Sequence, residues 1–195
     1  MQKKIILVRH GQSDANAGAV ANTSFSEIPL TEKGKEQARK FAETLEGKPN
    51  FIICSPFLRT KQTCQPLRDK YPDVPFEIDE NVREFSYICP EFAFGKTIEQ
   101  RKQRVNEYWS KLDPSFHDSE SVECFSQFVE RAKAFIKCVH QRKENFIVVF
   151  SHALYMILIE IVLKYPNDSD LEIMKKFSIA RKERNFENCG VLEIC

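Results

Sequence analysis

Residues 3–16 of the chain read KKIILVRHGQSDAN. After its first residue the run Lys4–Val8 is apolar without alternation, which predicts a central strand of a sheet that is covered on both faces. Arg9, His10 and Gly11 follow directly, so a cation, an imidazole and a glycine stand where this buried strand ends. Ligands of open α/β sheets bind at that edge, and the triplet therefore marks a candidate site.

Other apolar runs, each bounded by turn signals, predict four more strands at Phe51–Cys54, Phe76–Ile78, Phe146–Phe150 and Gly190–Ile194. Helical patterns lie between them: one starts at Thr31 as N-cap and stops at Gly47, one starts at a capping box of Thr97 and Gln100, and one covers Val122–His140. Strands that alternate with helices of this length predict an α/β fold, a three-layer sandwich with a mostly parallel central sheet.

Length and composition favour one globular domain over residues 1–195. Residues 86–120, rich in aromatics and then in charge, fit the pattern poorly and are interpreted as a small cap-like insertion.

A net charge of +1 without a basic stripe argues against nucleic acid and anionic membranes as partners. The longest apolar run, Ala153–Leu163, is too short to span a bilayer. Seven scattered cysteines without a CxxC spacing favour mostly buried, reduced thiols in a cytoplasmic protein over disulfides or structural zinc.

The second candidate histidine, His152, follows FIVVFS as His10 follows IILVR. Because the carboxyl ends of parallel strands share one edge of a sheet, the two are expected to converge. Either one alone would suit a hydrogen-bonded histidine at a strand end. The remaining two histidines, His117 and His140, fall in a polar loop and on a charged helix face, where a catalytic role is not expected.

Arg59 stands in ICSPFLRTKQT, after the predicted strand that ends at Cys54. Ser55 and Pro56 resemble an N-cap and first helical residue, which places Arg59 on an opening helical turn where backbone N–H groups attract anions. The guanidinium of arginine pairs with two phosphate oxygens at once. Cysteine phosphatases place five residues between their cysteine and arginine; four separate Cys54 from Arg59, so Cys54 is expected to be a buried strand residue.

Five motifs in this order carry a resemblance to a family: LVRHGQSDAN, LTEKGKEQA, CSPFLRTKQT, the glutamate of VREFSY, and VVFSHA. The chain resembles histidine phosphatases of the phosphoglycerate mutase-like superfamily from Ile5 to about Leu158. The resemblance implies a phosphoglycerate mutase-like fold and a catalytic set of His10, Arg9, Arg59, His152 and Glu84.

In that family the histidine after the first strand is phosphorylated during turnover, and this role falls to His10. Arg9, Arg59 and His152 would bind the phosphoryl group, and Glu84 would donate a proton. The resemblance also implies substrate-binding roles for residues that flank the two histidines: Gly11, Gln12, Asn16 and Ala153. Many relatives have glycine at the last of these positions.

The expected function is therefore a metal-independent phosphomonoesterase that acts on a small phosphorylated metabolite without a cofactor. Alternatives are a phosphoglycerate mutase and a non-catalytic phosphate-binding adaptor. A metal site of His10, His152 and a carboxylate is a further alternative, which the adjacent arginines disfavour.

The assignment of Glu84 has alternatives of its own. Glu80 and Glu91 lie nearby in the sequence, and Glu84 beside Arg83 would also suit a surface ion pair. The aromatic stretch FSYICPEFAFG that follows is expected either to roof the pocket or to pack the insertion onto the sheet.

Overall fold

The sheet has its strands in the order β3-β2-β4-β1-β5. A computed structural model describes residues 3–18, 23–184 and 186–195, and within these ranges the strands are β1 (Lys4–Arg9), β2 (Phe51–Cys54), β3 (Phe76–Ile78), β4 (Phe146–Ser151) and β5 (Val191–Glu193). Strands β1 to β4 run parallel to one another, and β5 runs antiparallel to β1. The mostly parallel sheet predicted from the sequence is confirmed.

Seven α-helices are formed by the described residues: α1 (Glu32–Thr44), α2 (Leu58–Lys70), α3 (Pro90–Ala93), α4 (Ile98–Lys111), α5 (Phe125–Gln141), α6 (Ala153–Lys164) and α7 (Asp170–Glu183). Alternate residues of β1, β2 and β4 pack on α1 and α2 on one face of the sheet, and on α5, α6 and α7 on the other. Both faces are covered, which explains the continuous apolarity of β1 and β4. The three-layer sandwich is confirmed. None of the helices in the described part of the chain is long and apolar enough to cross a membrane.

Two of the helix N-caps predicted from the sequence are formed. The Thr31 side chain accepts a hydrogen bond from the N–H of Gly34, and Thr97 and Gln100 form the predicted capping box. Two boundaries differ. Helix α1 ends at Thr44, with Gly47 beyond it in a turn at φ +81°, and α5 begins at Phe125 rather than three residues earlier.

The predicted start of α2 is wrong. The helix begins at Leu58 after Phe57, so Ser55 is not the N-cap and Pro56 is not the first helical residue. Ser55 does not cap the helix because its hydroxyl binds a long-range partner, Nε2 of His152, at 2.8 Å. Arg59 is nevertheless the second residue of α2 and lies on its opening turn, as predicted.

Residues 86–120 include α3 and α4 and join the larger of the two cores. Trp109 of α4 is buried against Phe125 of α5 and Phe177 of α7, and Tyr108 is buried beside it. The stretch is thus anchored on the side of the sheet opposite α1 and α2.

The prediction that most cysteines are buried is wrong. All seven are free, and the three that are buried are Cys54, Cys64 and Cys124. Cys138 and Cys195 are exposed, the former because it lies on the outer face of α5.

Candidate active site

The two predicted histidines meet at the carboxyl edge of the sheet. β1 and β4 are neighbours with Arg9 opposite Ser151, so the next residues, His10 and His152, lie side by side with ring centroids 5.3 Å apart. Both rings are buried, with 4% and 0% of the residue exposed. The convergence predicted from two strand ends 142 positions apart in the sequence is therefore present.

The His10 ring is oriented by its own backbone. Nδ1 lies 2.7 Å from the carbonyl oxygen of Gly11, and because a carbonyl only accepts, Nδ1 carries the proton and Nε2 keeps a lone pair. Burial, and then the charge of Arg59, lowers the pKa of His10 well below its usual range. The imidazole is thus neutral near pH 7, and its unprotonated Nε2 is the nitrogen that can act as a nucleophile.

The His152 ring is held by Ser55, whose Oγ lies 2.8 Å from Nε2. The other ring nitrogen, Nδ1, is buried and has no hydrogen-bond partner in the part of the chain that the structure describes. Burial, followed by the charge of Arg59, lowers the pKa of His152 well below its usual range. A buried polar atom without a partner is rare in folded proteins, and here it offers a hydrogen bond to an incoming oxygen.

Arg59 lies beside both rings and is itself 3% exposed. Its Nε points at Nε2 of His10 over 3.2 Å, and its Nη1 donates to the carbonyl oxygen of Phe25 over 2.8 Å. The guanidinium lies over the rings of Phe25 and Phe57, 4.6 and 4.9 Å from their centroids. Burial lowers the pKa of Arg59 to about 10, so the side chain stays positively charged at neutral pH.

Arg9, the last residue of β1, supplies a second positive charge. Its Nη1 donates to the carbonyl oxygen of Phe186 in the segment that leads to β5. Burial lowers the pKa of Arg9, and the charge of Glu84 acts in the opposite direction. The two arginines therefore approach the histidines from different elements, one from β1 and one from α2.

The Glu84 side chain is buried against the first turn of α6. Its Oε1 accepts from the N–H groups of Phe85 and Tyr155 at 3.0 and 3.2 Å, and its Oε2 accepts from Leu154 at 3.3 Å. Burial raises the pKa of Glu84, partly opposed by Arg59 and these N–H donors. Oε2 makes the single, longer bond and is the oxygen better suited to carry a proton.

The alternatives to Glu84 are not buried as it is. Glu80 and Glu91 are exposed, and Glu91 accepts from the thiol of Cys89 over 2.9 Å. Arg83 pairs with Glu123 at 3.2 Å instead of with Glu84, so the surface pair considered from the sequence is not formed.

The segment that carries Glu84 is held by a buried ion pair that the sequence did not reveal. Arg131 of α5 binds both carboxylate oxygens of Glu123 at 2.8 Å. Its guanidinium also donates to the carbonyl oxygens of Asn81, Arg83 and Glu84 at 2.6, 2.8 and 3.3 Å. The position of Arg131 between Phe128 and Phe135 on the buried face of α5 was the available signal, but its partner carbonyls belong to a distant loop.

Gly11 and Gln12 are fixed against the start of α1. A Cβ on Gly11 would stand 2.5 Å from the carbonyl oxygen of Gly34, and one on Gly34 would stand 2.1 Å from that of Gln12. The N–H of Gln12 donates to Oε1 of Gln37 at 2.8 Å, and its Oε1 accepts from Thr31 at 3.0 Å. The close crossing of the two backbones explains both glycines, and Gln12 is tied to α1 by its backbone and its side chain.

The remaining predicted binding residues lie around the same loop. Asn16 Oδ1 accepts from the Ser13 hydroxyl at 3.2 Å and from Asn188 at 3.4 Å, and Asn188 also donates to the carbonyl oxygen of His10 at 3.1 Å. Ala153 is the first residue of α6 and is half-buried. Asn188 was missed, because only the fold brings the C-terminal segment to this edge.

The other residues considered from the sequence are not part of this cluster. His117 and His140 are exposed and pair with Gln127 and the carbonyl oxygen of Ile136. Cys54 is a buried residue of β2, as predicted. The described residues contain no group of three His, Cys, Asp or Glu side chains that could hold a metal ion.

Comparison with known proteins decides the family. The model of the histidine phosphatase superfamily (branch 1) matches residues 5–186. The chain belongs to this superfamily. The histidine phosphatase identity indicated by the five sequence motifs is confirmed.

Two curated relatives of this histidine phosphatase match most of its length. The phosphoglycerate mutase-like protein AT74H of Arabidopsis thaliana is 27% identical over 219 aligned positions, which cover 97% of this chain and 72% of the relative. The 5''-phosphoribostamycin phosphatase of Niallia circulans is 28% identical over 162 positions, covering 77% of this chain and 73% of the relative.

Solved structures agree with the fold of this histidine phosphatase. A phosphoserine phosphatase from Entamoeba histolytica, in complex with 3-phosphoglyceric acid, superposes with a TM-score of 0.70 at 21% identity, covering 98% of this chain and 90% of that one. A mycobacterial glucosyl-3-phosphoglycerate phosphatase gives 0.72 at 17% identity, covering 98% and 89%. The similarity extends over nearly the whole of each chain.

Proposed function

We propose that this protein is a metal-independent phosphomonoesterase that forms a phosphohistidine on His10 and acts on a small phosphorylated metabolite. The observation that carries the proposal is the buried cluster itself: a neutral imidazole with an unprotonated Nε2 that faces an arginine, next to a second histidine whose Nδ1 has no partner among the described residues. Such a cluster suits a dianionic phosphoryl group, which needs a nucleophile and positive charge together.

In the first step Nε2 of His10 forms a bond to phosphorus while the bond from phosphorus to the ester oxygen breaks. Glu84, with its proton on Oε2, transfers that proton to the departing alcohol oxygen. The raised pKa of Glu84 favours the protonated acid that this step requires. The products are an alcohol, phosphorylated His10 and the Glu84 carboxylate.

In the second step water attacks phosphorus and the bond to Nε2 breaks. The Glu84 carboxylate takes a proton from the water, so inorganic phosphate leaves and both residues return to their starting states. Arg9 and Arg59 remain charged throughout and offset the negative charge of the phosphoryl oxygens. With the Ser55 hydroxyl donating to Nε2 of His152, Nδ1 carries the proton and donates a further hydrogen bond to one of those oxygens.

Two further parts of the proposal rest on the sequence alone. We place the enzyme in the cytoplasm because its scattered free thiols suit a reducing compartment. We also propose that it acts on free metabolites rather than nucleic acid, because the chain has a net charge of +1 and no basic stripe.

The test is phosphate release from simple monoesters by the purified chain in excess EDTA, compared with His10→Ala and with His140→Ala as a matched control at an exposed histidine. The proposal expects full activity with EDTA and in the control, and none in His10→Ala. Activity that EDTA abolishes and a divalent ion restores would overturn metal independence.

Product analysis with 3-phosphoglycerate supports hydrolysis if phosphate is released; isomerisation to 2-phosphoglycerate would identify a mutase instead. Phosphate binding without turnover of any monoester would identify an adaptor.

A further inference from the structure

A cavity of about 840 Å³ opens beside Glu84. Its lining joins two segments that pack on Arg59, one with Phe25 and one with Phe57, to the segment that follows Glu84 and to α4. A cavity of this size accommodates a ligand much larger than a phosphate group. The reaction site and the cavity are continuous, because Glu84 belongs to both.

The walls of this cavity are predominantly apolar and aromatic. The described residues that form its apolar part include Phe85, Tyr87, Ile88, Phe94, Val105 and Val122. Within the FSYICPEFAFG stretch, Phe85 and Tyr87 are packed into the core, whereas Phe94, at 59% exposed, lines the cavity.

The aromatic floor of the cavity, formed by Phe85 and Tyr87, is preformed. Phe85 stacks on Tyr87 and on Phe128 with ring centroids 4.7 and 4.3 Å apart. The Tyr87 hydroxyl accepts from Nε1 of Trp109 at 3.1 Å, which fixes the orientation of the Tyr87 ring. A ligand that covers this floor gains apolar contact without having to order these rings.

The charges around the cavity disfavour a polyanionic ligand. Among the described lining residues Arg101 carries the single positive charge, and its Nε donates to the carbonyl oxygen of Thr97 at 3.3 Å. Glu84 and Glu91 are the acidic residues of the same lining. A second phosphate or several carboxylates would thus meet one cation and two acids.

We propose that this cavity holds the alcohol part of the substrate and makes the enzyme selective for monoesters of largely apolar, ring-bearing or branched alcohols. The inference rests on the proposed function, because the oxygen that Glu84 protonates must be bonded to a group lying on the cavity side of that carboxyl. Sugar bisphosphates and phosphoglycerates are then poor substrates, since their alcohol parts stay hydrated or carry charge.

The test uses alkyl phosphates whose leaving groups have similar basicity, so that differences report binding of the alcohol rather than its departure. The kcat/KM values of propyl, butyl, pentyl and 2-phenylethyl phosphate are compared with those of glycerol 3-phosphate and 3-phosphoglycerate. Each added methylene is expected to raise kcat/KM about three- to fourfold, the value of one buried CH₂. The phenylethyl ester should exceed glycerol 3-phosphate by at least about tenfold.

A matched pair of variants locates the effect. Phe94→Ser removes an exposed ring at the cavity and should reduce the ratio of phenylethyl to glycerol ester several-fold. Ile179→Ser removes an apolar side chain that is 58% exposed on α7, away from the cavity, and should leave the ratio unchanged. An equal change in both variants would overturn the assignment to this cavity.

Different results would overturn the proposed function and the substrate preference inferred from the cavity. If the small monoesters are hydrolysed but kcat/KM is flat along the series or highest for 3-phosphoglycerate, the inference is wrong and the proposed function stands. If no monoester is hydrolysed and His10 is never phosphorylated, the proposed function is wrong and the inference falls with it.

Discussion

Nε of Arg59 points at Nε2 of His10 over 3.2 Å, although both side chains are almost fully buried. The donor approaches the lone pair that the proposed reaction uses, so protonation of that nitrogen is opposed by a fixed positive charge. Nη1 of the same guanidinium is held by the carbonyl oxygen of Phe25. The arginine is thereby oriented before any phosphate arrives, and the nucleophile and its charge partner form one unit.

Removing this guanidinium should therefore impair turnover far more than removing a surface charge. Arg59→Ala is expected to lower kcat/KM on the order of 10²–10³-fold, the usual loss for one preorganised donor at a developing negative charge. Arg59→Lys should recover part of the loss, because it keeps a charge but not the planar fork. Lys61→Ala, at an exposed position of the same helix, serves as control. Equal rates for Arg59→Ala and Lys61→Ala would remove Arg59 from the phosphate site.

The role of Glu84 predicts a dependence on the leaving group. Glu84→Gln should cost on the order of 10²–10⁴ in the rate of transfer from an alkyl phosphate, the scale of general acid catalysis. Nitrophenyl phosphate should lose much less, because its leaving group departs as a stabilised anion. Burst kinetics isolates the transfer step, and Glu91→Gln is the control at an exposed acid of the same cavity. Equal losses from both substrates in the burst would exclude Glu84 as the acid.

The buried pair of Arg131 and Glu123 should act through Glu84 as a positioning device. Arg131→Lys cannot maintain all of its bonds to Glu123 and to the Glu84 segment, and misplacing an acid by about 1 Å can cost on the order of 10²-fold in rate. Alkyl phosphate turnover should thus fall more than nitrophenyl phosphate turnover. Arg83→Ala removes the half-buried partner of the same glutamate and is the control. A loss of stability in Arg131→Lys with identical losses on both substrates would reduce the pair to a structural role.

The buried histidines predict a loss of stability in acid. The pKa of His10 and of His152 is lowered in the fold, so below about pH 6.5 the unfolded chain binds protons that the folded chain does not. Each histidine then removes up to about 1.4 kcal/mol of unfolding free energy per pH unit. Glu84, whose pKa is raised, contributes stability that is present below its unfolded pKa and is lost as pH rises through its folded value.

Urea unfolding between pH 7.5 and 5.5 in phosphate-free buffer checks this prediction. The slope of unfolding free energy against pH should be smaller in His10→Gln than in the wild-type chain. A wild-type slope in His10→Gln would mean that His10 titrates alike in both states.

The sequence indicated the parts of the site that depend on strand ends. His10 and His152 follow apolar runs, and the fold rule that parallel strands share a carboxyl edge is enough to bring them together. Arg59 followed in the same way from a strand and an opening helical turn. These inferences needed no knowledge of which strands are neighbours.

What the sequence could not supply are partners fixed by tertiary structure. Ser55 reads as a helix cap because serine caps locally, yet its hydroxyl lies against His152, 97 positions away. Arg131 reads as one more charge on an amphipathic helix, and its carbonyl partners belong to a loop 47 to 50 positions earlier. The crossing of Gly11 over Gly34 depends on the path of the chain between them.

The most direct measurement of the central claim is the chemistry of the phosphorylated enzyme. The chain is mixed with labelled substrate, quenched within milliseconds and digested, and the labelled peptide is identified by mass spectrometry. The account predicts one phosphoryl group on the peptide that contains His10, stable in base and lost in acid, and absent from His10→Ala. A label on the Cys54 peptide that is lost in base or by thiol exchange, or full turnover by His10→Ala, would contradict it.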